Sequence, residues 1–392
     1  MNHAGILIDP QIGFAGPEGS LAKAYGAEEI ESNRRILERI QAAVSESAGW
    51  MEWTLVFSEY RPGQFTGDDL AHPLRYLCVP GQGMDCSIAP PIEPTCFSDH
   101  HRKTEPSALH SGAFVEWVDR KVREGITTFV LAGLLAEHCV IQTAIDLAAY
   151  LRNTATEVVL GSDLIATRRA KIVQPGPVLP SEVLAQHRLS YRSWDELRLA
   201  LIGGSGNELE LSCRRQLRQL IMRDEKRIEI LRMLRTLALP DAWVAAGFVR
   251  NLVWQQLFPS ANLPLKEVDV IYFNPVDLDE AADSRLEARL RNRMPDFHWD
   301  VKNQARMHLR NEDSPYRSAS DAMQFWSEKE TAVAVALAPA IDDILIAAPF
   351  GLAPLFGGQL TYNAKCQRSI FEKRIRDKPW LVQCPTLKVR CK

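Results

Sequence analysis

No apolar run in this chain approaches the roughly 20 residues that a bilayer-spanning helix needs, so a membrane role is not expected. The amino terminus MNHAGILIDP has no basic region, long apolar core or small-residue cleavage site, the parts of a signal peptide. Cysteine is sparse: eight in 392 residues, none in a CxxC pair and none regularly spaced, which argues against a disulfide framework. A formal net charge of -3 leaves no excess of one sign to draw the chain to nucleic acid or to a membrane surface. Nucleic acid is therefore not an expected partner, and a cytoplasmic location is the expectation. Internal repeats and low-complexity stretches are absent.

What is there reads as an ordinary globular composition, with 46% hydrophobic and 24% charged residues. At 392 residues the chain has room for two or three domains. Up to about residue 195, short apolar runs alternate with helical patterns, as βαβ units and a parallel sheet require. Candidate strands lie at Gly5–Ile8, Thr54–Ser58, Cys96–Arg102, Thr128–Ala132 and Glu157–Leu160. Helical patterns fill Glu28–Ser45, Gly112–Glu124, Val140–Arg152 and Ser193–Leu201, the last with Ser193 as N-cap. The run Gly203-Gly204-Ser205-Gly206-Asn207 has the small residues of an interdomain linker. It divides a first domain, 1–200, from a second, 216–392, with the linker at 201–215. A single long charged helical pattern, Glu208 to Leu237, follows it.

The first candidate site is built from strand ends. Asp9 closes the strand Ile6-Leu7-Ile8-Asp9, Lys103 follows another, and Cys139 stands where the run Thr128–Ala132 gives way to a helix. A thiol at a strand-to-helix junction lies where backbone N–H groups and the helix dipole favour its thiolate. A nearby Lys103 is expected to lower the thiol pKa further, and Asp9 to shuttle the proton.

These residues sit in motifs: Ile6-Leu7-Ile8-Asp9-Pro10-Gln11-Ile12-Gly13-Phe14, Arg102-Lys103-Thr104-Glu105-Pro106-Ser107-Ala108, and Gly133-Leu134-Leu135-Ala136-Glu137-His138-Cys139-Val140. In order and spacing they resemble the isochorismatase-like cysteine hydrolases. That resemblance implies an Asp9-Lys103-Cys139 triad, a cis peptide at Leu134-Leu135, and an oxyanion hole from the N–H groups of Leu135 and Cys139. It also implies a parallel-sheet α/β/α fold, no cofactor, a small-molecule substrate and a homo-oligomer. Ser58-Glu59-Tyr60-Arg61-Pro62 departs from the metal-binding pattern of the superfamily's nicotinamidases. Arginine cannot ligate a cation, so a metal-dependent nicotinamidase is not expected. Arg61 suits instead a substrate carboxylate, and His138 is placed in the substrate pocket.

The second candidate site lies in Lys266-Glu267-Val268-Asp269-Val270-Ile271-Tyr272-Phe273, where strand alternation puts Glu267 and Asp269 on one face. Asp300, in His298-Trp299-Asp300-Val301-Lys302, offers a third carboxylate. Paired carboxylates suit magnesium and phosphoryl transfer. Upstream, Gly247 stands at a turn into a helix, where a phosphate approaches backbone N–H groups. This pattern, with Val301–His308 and Ala348-Pro349-Phe350-Gly351-Leu352, resembles the nucleotidyltransferases. The resemblance implies an α+β domain binding Mg2+ through Glu267, Asp269 and Asp300, and a nucleoside triphosphate through Gly247, Arg250 and Lys302. The basic tail around Lys373, Arg374, Arg376 and Lys378 suits a triphosphate. Gly247-Phe248 replaces the usual Gly-Ser, and Glu267 the first Asp. The leading expectation is a bifunctional enzyme. A second reading makes the latter domain a nucleotide-binding sensor, and a third makes both halves binding modules with inactive sites.

Overall fold

A computed structural model of the chain describes residues 2–174, 176–203 and 205–391. The chain divides into two compact units, one of residues 1–198 with 338–343, the other of 199–337 with 344–392.

In the first unit the order is β1 (His3–Ile8), α1 (Glu31–Ser47), β2 (Glu52–Ser58), β3 (Asp99–Lys103), α2 (Gly112–Arg123), β4 (Thr128–Leu134), α3 (Ile141–Tyr150), β5 (Glu157–Ala166), β6 (Ser190–Arg192) and the first residues of α4 (Trp194–Ile202). The six strands form one sheet in the order β3-β2-β1-β4-β5-β6, and every pairing is parallel. Strand alternation explains how both faces are covered. Leu7, Leu55 and Val130 point to one side, against Ile36, Leu37 and Ile40 of α1. Ile6, Ile8, Val56 and Leu131 point to the other, against Phe114 and Trp117 of α2 and Leu147 of α3. Burying one such side chain is worth about 1.5–3 kcal/mol, so the helices covering both apolar faces stabilise the all-parallel sheet.

Gly133 shows what brings two of these strands so close. Its φ is +121°, and a Cβ there would stand 2.1 Å from the Ile8 carbonyl oxygen. Only glycine lets the end of β4 lie against the end of β1.

The second unit contains α5 (Ser205–Met222), α6 (Glu225–Thr236), β7 (Trp243–Ala245), α7 (Gly247–Leu257), β8 (Glu267–Tyr272), α8 (Glu280–Arg293), β9 (His298–Asn303), β10 (Ala334–Leu337), β11 (Ile344–Ala347), β12 (Gln359–Thr361), α9 (Arg368–Asp377) and β13 (Lys388–Arg390). Its main sheet runs β11-β10-β7-β8-β9, while β12 and β13 form a separate pair. β8 and β9 are parallel, and the other pairings of the main sheet are antiparallel.

Two expectations are corrected here. Residues 205–215, read as linker, are helical, because Cys213, Leu217 and Ile221 of α5 bury an apolar stripe against Leu231, Phe248 and Val249. Burial of that stripe outweighs the poor helix propensity of the glycine and serine at its start. Gly204 lies outside the described residues. The single long helix expected over Glu208–Leu237 is two, since the Asp224 side chain accepts the Arg227 N–H and caps a new helix.

Candidate active sites

At the carboxyl edge of the first sheet, four neighbouring strands each deliver one polar group. Lys103 ends β3, Ser58 ends β2, Asp9 follows β1, and Cys139 lies in a single π turn, Ala136–Val140, after β4. The strand order reverses between β1 and β4, and such a switch point is where open α/β sheets leave a crevice. Asp9 takes a φ of +52° and donates its N–H to the Val56 carbonyl at 2.8 Å, which turns its carboxylate across the strand ends. Gln11 pins the same corner: its amide nitrogen donates to the Ser58 carbonyl at 2.9 Å, and its oxygen accepts the Ser58 N–H at 2.7 Å.

The three groups expected to work together do converge. Lys103 Nζ is 3.0 Å from Asp9 Oδ2, and neither side chain is exposed at all. A buried ammonium needs its hydrogen bonds satisfied. Lys103 donates further to Ser58 Oγ at 2.7 Å, the Tyr60 hydroxyl at 3.0 Å and, at longer range, the Glu105 carbonyl at 3.3 Å. Ser58 Oγ lies 2.8 Å from Asp9 Oδ1 and 2.7 Å from the Tyr60 hydroxyl. That hydroxyl is 3.5 Å from Cys139 Sγ. Sequence reasoning missed Ser58 and Tyr60. One stands at the end of β2 and the other two residues on, and hydroxyl residues there carry no chemistry by themselves.

The electrostatics differ from the expectation. Burial and the Asp9 carboxylate push the Cys139 thiol up to about 12, while Lys103 and the Tyr60 hydrogen bond pull it down. Lys103 thus acts in the expected direction and is outweighed, so the thiol rests neutral. The ammonium itself is drawn down by burial but raised, on balance, by Asp9 and Cys139. The Leu134-Leu135 peptide is cis. The Leu135 carbonyl accepts the N–H groups of His138 and Val140 at 3.1 and 3.2 Å, which ties the turn down. Arg61 and His138 are exposed. Among the described residues no hydrogen bond joins either side chain to the buried cluster. Glu59 is ion-paired with Arg102 at 3.0 Å.

In the second unit, Asp269 of β8 stands directly opposite Asp300 of β9 in a parallel pair, so both carboxylates share one face. Burial, then Asp300 and Glu267, push Asp269 up to about 6 against the pull of Arg250 and Arg374. The carboxylates repel one another. Among the described residues, however, no three His, Cys, Asp or Glu side chains form a ready-made metal-ligand set. Glu267 is exposed, leaving Asp269 and Asp300 as the facing pair. Magnesium is commonly held by one or two carboxylates together with substrate phosphates, and this donor pair fits it.

Lys302 was expected on the nucleotide, but its ammonium lies 2.7 Å from Asp300 Oδ1 and 3.4 Å from Glu287. Two residues apart on β9, Lys302 and Asp300 share a face, and the pair is the shortest route to neutrality.

The carboxylate pair opens on a cleft of about 930 Å³ whose lining includes Gly247, Arg250, Glu328, Arg374 and Trp380. β7 enters α7 through Ala246, at φ +55°, and Gly247 opens the helix. Arg250 is buried and donates to Thr331 Oγ1 at 2.8 Å and Asn251 Oδ1 at 2.9 Å. Its guanidinium lies 4.6 Å from the Trp380 ring centre and 5.2 Å from that of Trp254. Burial lowers its pKa to about 10, which leaves it charged at neutral pH. From the basic tail, Arg374 donates to the wholly buried Glu328 at 2.7 Å and also faces Trp380. Both arginines therefore have fixed positions beside Asp269.

Comparison with known proteins matches residues 3–172 to the Isochorismatase domain family and residues 232–389 to the Nucleotidyltransferase family. Among solved structures, an isochorismatase-like hydrolase from Alkaliphilus metalliredigens is 20% identical, with 51% of this chain and 99% of that chain covered and a TM-score of 0.36. N-carbamoylsarcosine amidase from Thermoplasma acidophilum is 19% identical over 50% of this chain and 98% of that one, with a TM-score of 0.34. A protein described as a CCA-adding enzyme head domain is 27% identical over 45% of this chain and 96% of that one, with a TM-score of 0.41. No curated protein matches the chain. The chain joins an isochorismatase domain, residues 3–172, to a nucleotidyltransferase domain, residues 232–389, and both are enzyme families.

Proposed function

We propose that the first domain hydrolyses a C–N or C–O bond in a small metabolite through a covalent intermediate on Cys139, and that the second transfers a nucleotidyl group with magnesium. The convergence of Asp9, Lys103 and Cys139 at one sheet edge carries the first half. A neutral thiol beside a buried carboxylate loses its proton as Sγ attacks the carbonyl carbon. The proton passes to Asp9, the carbonyl oxygen becomes an oxyanion at the N–H groups of Leu135 and Cys139, and Lys103 balances the charge. As the C–N or C–O bond breaks, Asp9 returns the proton to the leaving group, and water then cleaves the thioester. Arg61, exposed at the end of β2 with no ion pair among the described residues, is suited to a substrate carboxylate.

The second half rests on the Asp269–Asp300 register. Asp269 and Asp300 would hold magnesium, which supplies charge neutralisation to a triphosphate. Arg250 and Arg374 bind the phosphates from fixed positions, and Gly247 lets them approach the N-terminus of α7. This unit would run a transferase rather than a sensor because its carboxylates face each other, which nucleotide binding alone does not need. The substrates are therefore a small metabolite and a nucleotide.

Mass spectrometry of the intact protein after incubation with metabolite pools tests the hydrolase. An adduct on Cys139 that Cys139→Ser abolishes is expected, and its absence across acyl, amide and ester pools refutes the reading. For the transferase, Mg2+ with each of ATP, CTP, GTP and UTP should release pyrophosphate in a manner lost in Asp269→Ala. Binding without release would leave the sensor.

A further inference from the structure

The hydroxyls of Ser58 and Tyr60 sit between the thiol and the carboxylate at distances that leave no gap: 3.5 Å from Cys139 Sγ to Tyr60, 2.7 Å from Tyr60 to Ser58, and 2.8 Å from Ser58 to Asp9 Oδ1. We infer that Tyr60 and Ser58 form a proton wire that carries the Cys139 proton to Asp9, with Tyr60 the residue that positions the thiol. This rests on the reading of Cys139 as nucleophile and Asp9 as its base.

Proton counting supports it. Lys103 has three protons and no lone pair, and four oxygens lie in reach: Asp9 Oδ2, Ser58 Oγ, the Tyr60 oxygen and, furthest, the Glu105 carbonyl. It therefore acts as donor to both hydroxyls and takes a proton from neither. Each hydroxyl has one proton to give and two lone pairs to fill. If Ser58 donates to Asp9, its remaining lone pair takes the Tyr60 proton, and the remaining lone pair of Tyr60 takes the thiol proton. Both hydroxyls are then satisfied, with the thiol neutral and Asp9 charged.

The reverse orientation is equally complete. Protonated Asp9 donates to Ser58, Ser58 to Tyr60, and Tyr60 to a thiolate. Passing between the two breaks the S–H, Tyr60 O–H and Ser58 O–H bonds and forms O–H bonds on Tyr60, Ser58 and Asp9. One positive charge remains on Lys103 throughout, and one negative charge moves from Asp9 to Sγ. No heavy atom needs to move and no water is needed. Both hydroxyls, the ammonium and the carboxylate are buried, so solvent protons do not short-circuit the wire. The titratable groups facing the thiol are Asp9 just after β1, which also contacts it directly, Tyr60 just after β2 and Lys103 of β3, so the wire competes with a direct transfer to Asp9.

Acylation of Cys139 by p-nitrophenyl acetate, located by peptide mass spectrometry, tests the wire on the full chain. In the wild type the rate should be nearly level around neutral pH, because Asp9 is the base. In Tyr60→Phe, which keeps the ring against Phe65 (4.8 Å between centres), it should fall by about 100-fold, the usual worth of a general base. It should then rise tenfold per pH unit, as hydroxide takes over. Ser58→Ala breaks the wire at another oxygen and should show the same change of slope, and it decides the matter if Tyr60→Phe misfolds. Wild-type rate and a level profile in either folded variant would overturn the inference, since Asp9 would then act directly. If the wild type is not acylated at Cys139 the nucleophile reading itself fails, and if Asp9→Asn is acylated as fast the reading of Asp9 as base fails.

Discussion

Removing Lys103 should damage the fold as well as the chemistry, and the size of the effect follows from what surrounds it. Its ammonium and the Asp9 carboxylate are wholly buried 3.0 Å apart. In Lys103→Met the apolar stem is kept, but Asp9 loses its cation and retains Ser58 as its remaining side-chain donor, and the hydroxyls of Ser58 and Tyr60 lose one donor each. Breaking one partner out of a buried pair destabilises by about 3–5 kcal/mol. Asp9→Asn should fall in the same range, because it strands the ammonium. The double variant has no stranded charge, and its loss should fall at least about 2 kcal/mol short of the sum of the single losses. Hydrogen exchange during urea titration of the full chain, read on peptides from β1 and β3, measures each loss within the first unit. Strict additivity of the two substitutions would refute the claim that this pair is one electrostatic unit. The pH dependence is a second check. Because the folded ammonium is held above the ordinary 10.5, its contribution is intact below that value and should fade as pH rises past it. Lys103→Met should lose that alkaline slope.

At the other site, folding raises Asp269 from 3.8 to about 6. The free second unit should therefore lose stability as pH rises from 4 through 6, and Asp269→Asn should flatten that slope in hydrogen exchange. Magnesium–triphosphate affinity, by calorimetry, should rise over the same interval with a midpoint near 6 and lose that dependence in Asp269→Asn. A Cβ on residue 247 would stand 3.5 Å from Asn251 Nδ2 and 3.6 Å from Arg250 Nη2, an ordinary contact. Gly247→Ala should thus leave thermal stability unchanged but weaken triphosphate binding at least tenfold, or about 1.4 kcal/mol; unchanged affinity would count against phosphate approach at this turn. Arg374→Ala removes the hydrogen-bonded cation of the buried Glu328 but leaves Ser327 Oγ and the nearby Arg250 charge, and should cost about 1–3 kcal/mol in urea unfolding of the second unit. Adding Glu328→Gln should recover part of that stability, but not nucleotide affinity.

Much of this was legible because the informative residues sit at element ends. Asp9, Lys103 and Cys139 each close a strand or open a turn, and parallel pairing carries strand ends to one edge whatever the loops do. The pairing of Asp269 with Asp300 was legible in kind, as alternation puts each on a definite face, although their opposition depends on register. Ser58 and Tyr60 were not legible, since a hydroxyl acquires its role only from neighbours far away in sequence. Nor was the neutral resting thiol, because burial is a property of the whole first unit. Arg374 and Glu328 are 46 residues apart, and Trp380 joins them only through packing. The glycine-rich stretch misled because local flexibility was read without the apolar stripe that follows.

The one-sided layout of the first sheet has a practical corollary for engineering. Every group of its proposed site lies at the carboxyl ends of β1 to β4, which leaves the amino ends free of chemistry. The turns that feed those amino ends, around Trp50 before β2 and Gly125 before β4, contribute no side chain to the buried cluster. Short insertions, affinity tags or fluorescent reporters placed at Gly125, whose φ of +89° marks an open turn with space around it, should therefore be borne without disturbing the proton path on the far edge.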